Sequence, residues 1–422
     1  MVKSADFMAE QRSTIYLDNH ATTRLDPRVL EAMLPWLTDR YGNAGSVTHD
    51  MGREAREAVE AARGTFADAI AADPREIVFT GGATESTNLA ILGTAARHAR
   101  LEAADGFPGH IVTLATEHHA VLDPVEHLER EGTKVTRLPV MPQHDAAGVP
   151  GRIRLADLEA ALRPDTFLVS VLLANNEIGV VQDVATIAEL VHAAGAILHV
   201  DCTQAIGRMP VDVDSLGADL ASFSAHKVHG PKGSGALYVR RRGRAVRVEP
   251  LVFGGGQERG MRSGTLDVPA IVGLAEAARL AIVGLADEVP RMRRLRDRLW
   301  ETLQAGVPGI AINGPALDAI DDRGQSLRLI NNLNVRIPGV DGQSLLATLS
   351  GDGLAVSSAA PAHRRARGQV TCSWPLDSAT TKPGPASASV FHASRPRMRS
   401  TRRHGESPRV SPGYGGCRRG HA

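Results

Sequence analysis

Short apolar runs alternate with longer mixed stretches along most of this chain. The runs Glu76–Thr80, Ile111–Ala115, Phe167–Leu173, Ala196–Val200 and Leu220–Phe223 read as strands. They are near-continuously apolar, as strands covered on both faces are, and lack the strict alternation of a half-exposed sheet. The stretches between them carry helical spacing. Asp26-Pro27 opens a helix with Val29, Leu30, Met33, Leu34 and Leu37 as its apolar face, and Pro27 sits in the first turn, where its missing N–H is not needed. A second helix is predicted over about 50–72 and another over 184–194, while Ile15 begins a short strand that runs into a polar loop. The pattern predicts an α/β fold with a mostly parallel central sheet and helices on both faces.

Past Gly264 the rhythm changes. Val268–Ala286 and Pro290–Leu303 read as helices, Leu333–Ile337 as a strand, Gly339–Gly342 as a turn, Ser344–Leu349 as a short helix and Leu354–Ser357 as a strand. The expected organisation is an N-terminal segment (1–25), a large domain (26–265), a smaller α+β domain that looks truncated (266–358) and a tail (359–422). Charge supports the last boundary. The formal charge of +1 hides 12 Lys/Arg against 2 Asp/Glu from Ser358 onward, while residues 1–357 hold 36 against 45. The tail is basic and rich in Ser, Pro, Arg and Gly, a composition expected to be disordered. It lacks the interleaved aromatics of a nucleic-acid-binding segment. No run approaches the roughly 18 apolar residues of a membrane span. Residues 1–14 lack the apolar core of a signal peptide, so a cytoplasmic protein is expected. Cys202, Cys372 and Cys417 have neither metal-ligand nor disulfide spacing.

Candidate chemistry sits where the strands end. The first run exits into Gly81-Gly82-Ala83-Thr84-Glu85-Ser86-Thr87-Asn88, glycines and hydroxyls at a helix start, a natural phosphate cradle. It is neither a Walker sequence nor a dinucleotide fingerprint. The second run exits into Thr116-Glu117-His118-His119 and the third into Ala174-Asn175-Asn176-Glu177. The fourth exits into Asp201-Cys202-Thr203-Gln204, and the fifth into Ser224-Ala225-His226-Lys227, followed by the turn Gly230-Pro231-Lys232-Gly233. Ligands of open α/β sheets bind outside the carboxyl ends of the strands, so these exits converge on one site. A lysine held there among small residues and histidine suits an amine nucleophile, and one chemistry that needs it is a Schiff base with pyridoxal phosphate. Taken singly, each piece has a plainer reading: His118 as a helix start, Asn176 as a turn or cap, Asp201 as an N-cap, Cys202 as a small core residue.

With these motifs assembled, the chain resembles the cysteine desulfurases, members of the class V aminotransferase group of pyridoxal phosphate enzymes with the fold-type I architecture. The resemblance runs from about Ile15 to Ser358 and is carried by residues 16–23, 79–86, 116–118, 174–179, 199–204, 224–233 and Gly254-Gly-Gly-Gln-Glu-Arg-Gly-Met-Arg-Ser-Gly-Thr265. It implies that Lys227 binds the cofactor covalently and that His118 stacks on the ring and takes part in proton transfer. By the same resemblance Asp201 pairs with the ring nitrogen, Gln204 reaches the ring hydroxyl and Asn176 contacts the ring substituents. Ala83, Thr84, Ser224 and His226 are implied to hold the phosphate, with Thr265 supplied by the partner subunit of a homodimer. The implied reaction converts L-cysteine to L-alanine. A mobile cysteine thiolate takes the sulfur as a persulfide and passes it to an acceptor or iron–sulfur scaffold protein.

In the family the last strand leads into a Ser-Ser-Gly-Ser-Ala-Cys-Thr loop carrying that cysteine, and a later arginine binds the substrate carboxylate. Here Val356-Ser357-Ser358 is followed by Ala359-Ala360-Pro361-Ala362-His363-Arg364-Arg365. A reading-frame change near residue 358 is the expected cause, with a natural divergent tail as the alternative, and retranslation of the DNA in the other frames tests it. Cys372 lies 14 residues beyond Ser358 with no motif to activate it. The expectation is an intact cofactor site, a crippled sulfur transfer and poor stability. Two alternatives stay open: another class V enzyme (an aminotransferase or a selenocysteine or cysteine-sulfinate lyase), or a non-catalytic cofactor-binding partner protein.

Overall fold

Strands apolar on both faces are satisfied only inside a sheet covered on two sides. That is the arrangement in the computed structural model, which describes residues 14–101, 109–145 and 148–358. Strand β1 (Ile15–Tyr16) precedes helices α1 (Pro27–Leu37) and α2 (Asp50–Ala69). Then come β2 (Ile77–Thr80), α3 (Ala83–Leu101), β3 (His110–Leu114), α4 (His119–Arg130), β4 (Lys134–Leu138) and α5 (Leu155–Ala161). The central part ends with β5 (Thr166–Leu172), α6 (Val184–Ala193), β6 (Ile197–Asp201), β7 (Leu220–Ser224) and β8 (Gly235–Val239). Helices α7 (Val268–Val283) and α8 (Leu285–Gly306) lead to β9 (Ala311–Ile312), β10 (Val335–Arg336), α9 (Gly342–Gly351) and β11 (Leu354–Ala355).

The seven-stranded sheet has the order β2-β8-β7-β6-β5-β3-β4. Every neighbouring pair is parallel except those made by β8, which is antiparallel to both β2 and β7. Because β8 opposes both, β2 and β7 point the same way. The carboxyl ends of β2, β3, β5, β6 and β7 therefore share one edge. Alternate strand residues face opposite sides of the sheet and feed three clusters. Ile77, Phe79, Val112, Val169, Val200 and Phe223 belong to a large cluster with residues of α1, α2, α6 and α7. Val78 and Leu220, and Ile111 and Leu168, belong to clusters that include α3 and α4 residues.

Several expectations need correction. Strands β4 and β8 were not anticipated: β4 is an edge strand with exposed Lys134, and β8 follows directly on the glycine turn that masks its start. Helix α2 ends at Ala69 rather than near 72, because Ala71 takes a left-handed conformation (φ 57°). The break between α7 and α8 falls at Gly284, and Pro290 lies inside α8 instead of starting it. The strand expected over 333–337 shortens to β10, and the one over 354–357 to β11, which pairs in parallel with β1. No single helix among the described residues is long and apolar enough to cross a membrane. The tail 359–422, with Cys372 and Cys417, lies outside the described residues.

Candidate active site

The shared sheet edge opens on a cavity of about 500 Å³, within the range of small-molecule sites. Ala83, Thr84, His118, Asn176, Asp201, Gln204, Ser224, His226 and Lys227 all line it. Thr265 is exposed and is not among its lining residues.

At one end, β2 runs out through Gly81 and Gly82 into the start of α3. Gly82 has φ 142°, a conformation that favours glycine. Gly235 of β8 backs it so closely that a Cβ there would lie 2.6 Å from the Gly82 Cα. The free N–H groups of a helix start, with its dipole, attract an anion. Ser224 and His226 close this end from β7. His226 Nδ1 lies 3.1 Å from Thr22 Oγ1, and desolvation, aided by Lys227 and Lys232, pushes its pKa down to about 4.

Asp201, the last residue of β6, is buried. Its Oδ1 accepts from Thr203 N at 2.9 Å, and its other oxygen has no protein donor among the described residues. His118 caps α4. Its Nδ1 accepts from Ala120 N at 3.0 Å, which leaves Nε2 to carry the proton of the neutral ring. Desolvation lowers its pKa, with Asp201 opposing and Lys227 assisting. Asn175 Oδ1 accepts from Glu177 N and Ile178 N, both at 2.9 Å, and this local turn fixes Asn176 in the cavity wall. Lys227 Nζ donates to the carbonyls of His20 and Ala21 (2.9 Å to the latter), and Gln204 Nε2 donates to His20 O at 3.0 Å. Burial lowers the Lys227 pKa, opposed by Asp201 and Asp18.

A second cavity of about 360 Å³ shares Ala21, His118, Asn176, Gln204 and Lys227 and extends to Asp18, His20, Asn331 and Asn334. Sequence reasoning assigned no role to Thr22, His20, Thr203 or Lys232. Thr22 and His20 lie inside a quoted motif, and Lys232 in the lysine turn, so proximity in sequence was the available signal. Cys202, the one cysteine among the described residues, is fully buried and burial pushes its thiol pKa well up. It is a core residue and not a nucleophile.

Residues 15–375 match the class V aminotransferase family. Over 346 residues the chain is 50% identical to the cysteine desulfurase IscS of Cronobacter sakazakii, spanning 82% of this chain and 79% of that one. The chain belongs to the cysteine desulfurases. A solved NifS-like protein superposes with a TM-score of 0.72 at 40% identity, covering 82% of this chain and 87% of its own. A cysteine desulfurase from Thermococcus onnurineus NA1 gives 0.72 at 26% identity, covering 90% of each. Cysteine desulfurases are pyridoxal phosphate enzymes, and the cavity fits that group. The free Asp201 oxygen suits a protonated ring nitrogen. The glycine turn and helix start suit a phosphate, and the orphaned Thr203 Oγ1 leaves a further polar contact available.

Proposed function

We propose that this chain is a cytoplasmic homodimeric desulfurase whose large domain (26–265), together with residues 20–22, keeps the cofactor and L-cysteine site, while the sulfur-transfer step lacks its nucleophile. The observation that carries the reading is the meeting of Lys227, His118 and Asp201 with the glycine cradle in one cavity. Lys227 holds the cofactor covalently, Ala83, Thr84, Ser224 and His226 hold its phosphate, and Asn176 and Gln204 contact its ring substituents. When bound, pyridoxal phosphate supplies an electron sink for charge developing at the substrate Cα. Asp201 keeps the ring nitrogen protonated with its uncommitted oxygen. Once the substrate amine has displaced it from the cofactor, Lys227 Nζ, with its lowered pKa, would be free to take the Cα proton. His118 has Nδ1 occupied by Ala120 N, so its Nε2–H is a donor, available to protonate the substrate Cβ once an acceptor thiolate has taken the sulfur and the Cβ–S bond has broken.

Homodimer formation is supported by exposed apolar side chains. Leu30, Leu34 and Leu37 share one face of α1, and Tyr41, Val47 and Phe253 are 73%, 75% and 80% exposed. In such a dimer the exposed Thr265 reaches the partner's phosphate. The sulfur, where transferred, goes to an acceptor or scaffold protein of iron–sulfur cluster assembly. The described residues offer no accessible thiol to carry it.

The test is an absorbance spectrum of the purified chain before and after L-cysteine, with alanine assayed in the same tube. A visible cofactor band that shifts without yielding alanine is the expected result. Alanine at a catalytic rate would show that the tail supplies a working nucleophile. A folded protein without the band would overturn the role of Lys227. Release of a keto acid would identify an aminotransferase instead.

A further inference from the structure

Glu258 lies in the glycine-rich segment 254–265, far in sequence from the cradle, yet its side chain is only 1% exposed. It accepts from Arg63 Nη1 at 2.8 Å, from Arg63 Nη2 at 2.7 Å and from Phe79 N at 2.8 Å. Arg63, on α2, is itself buried, donates to Ile77 O at 2.9 Å and lies over the Phe79 ring at 4.7 Å. Ile77 and Phe79 belong to β2, whose next residues are Thr80, Gly81 and Gly82. The pair therefore grips the strand that delivers the cradle.

Glu258 and Arg259 both have positive φ, 47° and 58°. Two such non-glycine residues in succession persist only when their surroundings impose the conformation. The buried pair supplies that constraint. A second tie runs from the same segment to the cradle itself: Arg262 Nε meets Glu85 Oε1 at 2.8 Å, and Glu85 Oε2 accepts from Gly81 N at 2.7 Å. Glu85 lines the cavity, so without Arg262 its negative charge would face an incoming phosphate uncompensated. The segment also closes on itself, Gln257 Oε1 accepting from Gly264 N at 2.8 Å, next to the exposed Thr265.

We infer that the Arg63–Glu258 pair and the Arg262–Glu85 pair are two clamps that seat the 254–265 segment against the cradle, making these four residues positioning groups for the phosphate of the cofactor. The inference rests on the reading of the cavity as a pyridoxal phosphate site.

The experiment compares affinities for pyridoxal phosphate and for unphosphorylated pyridoxal in the full-length apoprotein, followed by the visible band. The native chain favours pyridoxal phosphate. Glu258→Gln and Arg262→Ala are each expected to lower the ratio of the two affinities by about tenfold or more, with pyridoxal binding retained. Equal weakening of both ligands, or an unchanged ratio, would overturn the clamps, since a purely structural role treats the two alike. Breaking a buried ion pair is strongly destabilising. If circular dichroism shows Glu258→Gln unfolded, Arg262→Ala, at a partly exposed pair, decides by the same ratio. A native chain that forms the band with neither ligand would instead overturn the cofactor reading, and the clamps with it.

Discussion

His199 lies in the middle of β6, directly below the site, and provides a quantitative test of the buried sheet. It is fully buried, with Nδ1 2.8 Å from Ser170 Oγ on β5 and Nε2 2.8 Å from Ser222 Oγ on β7. Burial pushes its pKa from 6.5 down to about 4, against a smaller opposing pull from Asp201. The folded pKa lies below the unfolded one, so between these values the unfolded chain binds a proton that the folded chain excludes. The stability contribution is therefore full above about pH 6.5 and is lost as the pH falls toward 4. Integrated from pH 7 to pH 5, this single residue removes about 2 kcal/mol. His199→Gln keeps hydrogen-bonding capacity for the two serines and cannot titrate. Urea unfolding of both proteins at intervals between pH 7.5 and 5 gives the difference in stability. His20, also lowered to about 4, is present in both proteins and cancels. The native chain should lose about 2 kcal/mol more than the variant over this range. Equal pH slopes would refute a neutral buried His199.

Three further outcomes are expected. Because burial lowers the Lys227 pKa, capture of pyridoxal phosphate by the apoprotein should rise with pH and level off below the ordinary lysine value of 10.5; a rate still climbing there contradicts the shift. With L-alanine supplied in deuterated water, His118→Gln should retain the cofactor band and slow deuterium exchange at alanine Cβ by about 10²–10⁴-fold, leaving exchange at Cα, assigned to Lys227, unchanged; nuclear magnetic resonance reads both positions, and equal Cβ rates would remove His118 from proton transfer. Gly235→Ala places a Cβ 2.6 Å from the Gly82 backbone and Phe223 O. It should weaken pyridoxal phosphate retention while costing about 1–3 kcal/mol of stability, and undiminished retention would mean that the cradle tolerates displacement.

Much of the architecture was legible because the relevant signals are local. Unbroken apolar runs encode strands covered on both faces, and Asp26 and Pro27 encode the start of α1, where Asp26 accepts from Arg28 N. Strand β4 escaped notice because its edge position tolerates Lys134 and Arg137, which blur the apolar signal. The β1–β11 pairing joins Ile15 to Leu354, and no local pattern carries a partnership across that distance. The motif residues were recognisable one by one, but Glu258 gave no sign in the sequence of being buried against Arg63.

Along the chain, polar and reactive residues follow the apolar strands, and that order alone gathers a lysine, a histidine, a carboxylate and a phosphate cradle at one sheet edge. After Ser358 the chain reads Ala359-Ala360-Pro361. The chemical state of the lysine and the seating of the cradle came with folding. The lowered pKa of Lys227 depends on the desolvating walls around it, and the setting of the cradle on β8 and the 254–265 segment. Periodicity and capping are properties of neighbours along the chain. Protonation and orientation depend on neighbours through space, which exist only once the sheet has closed around them.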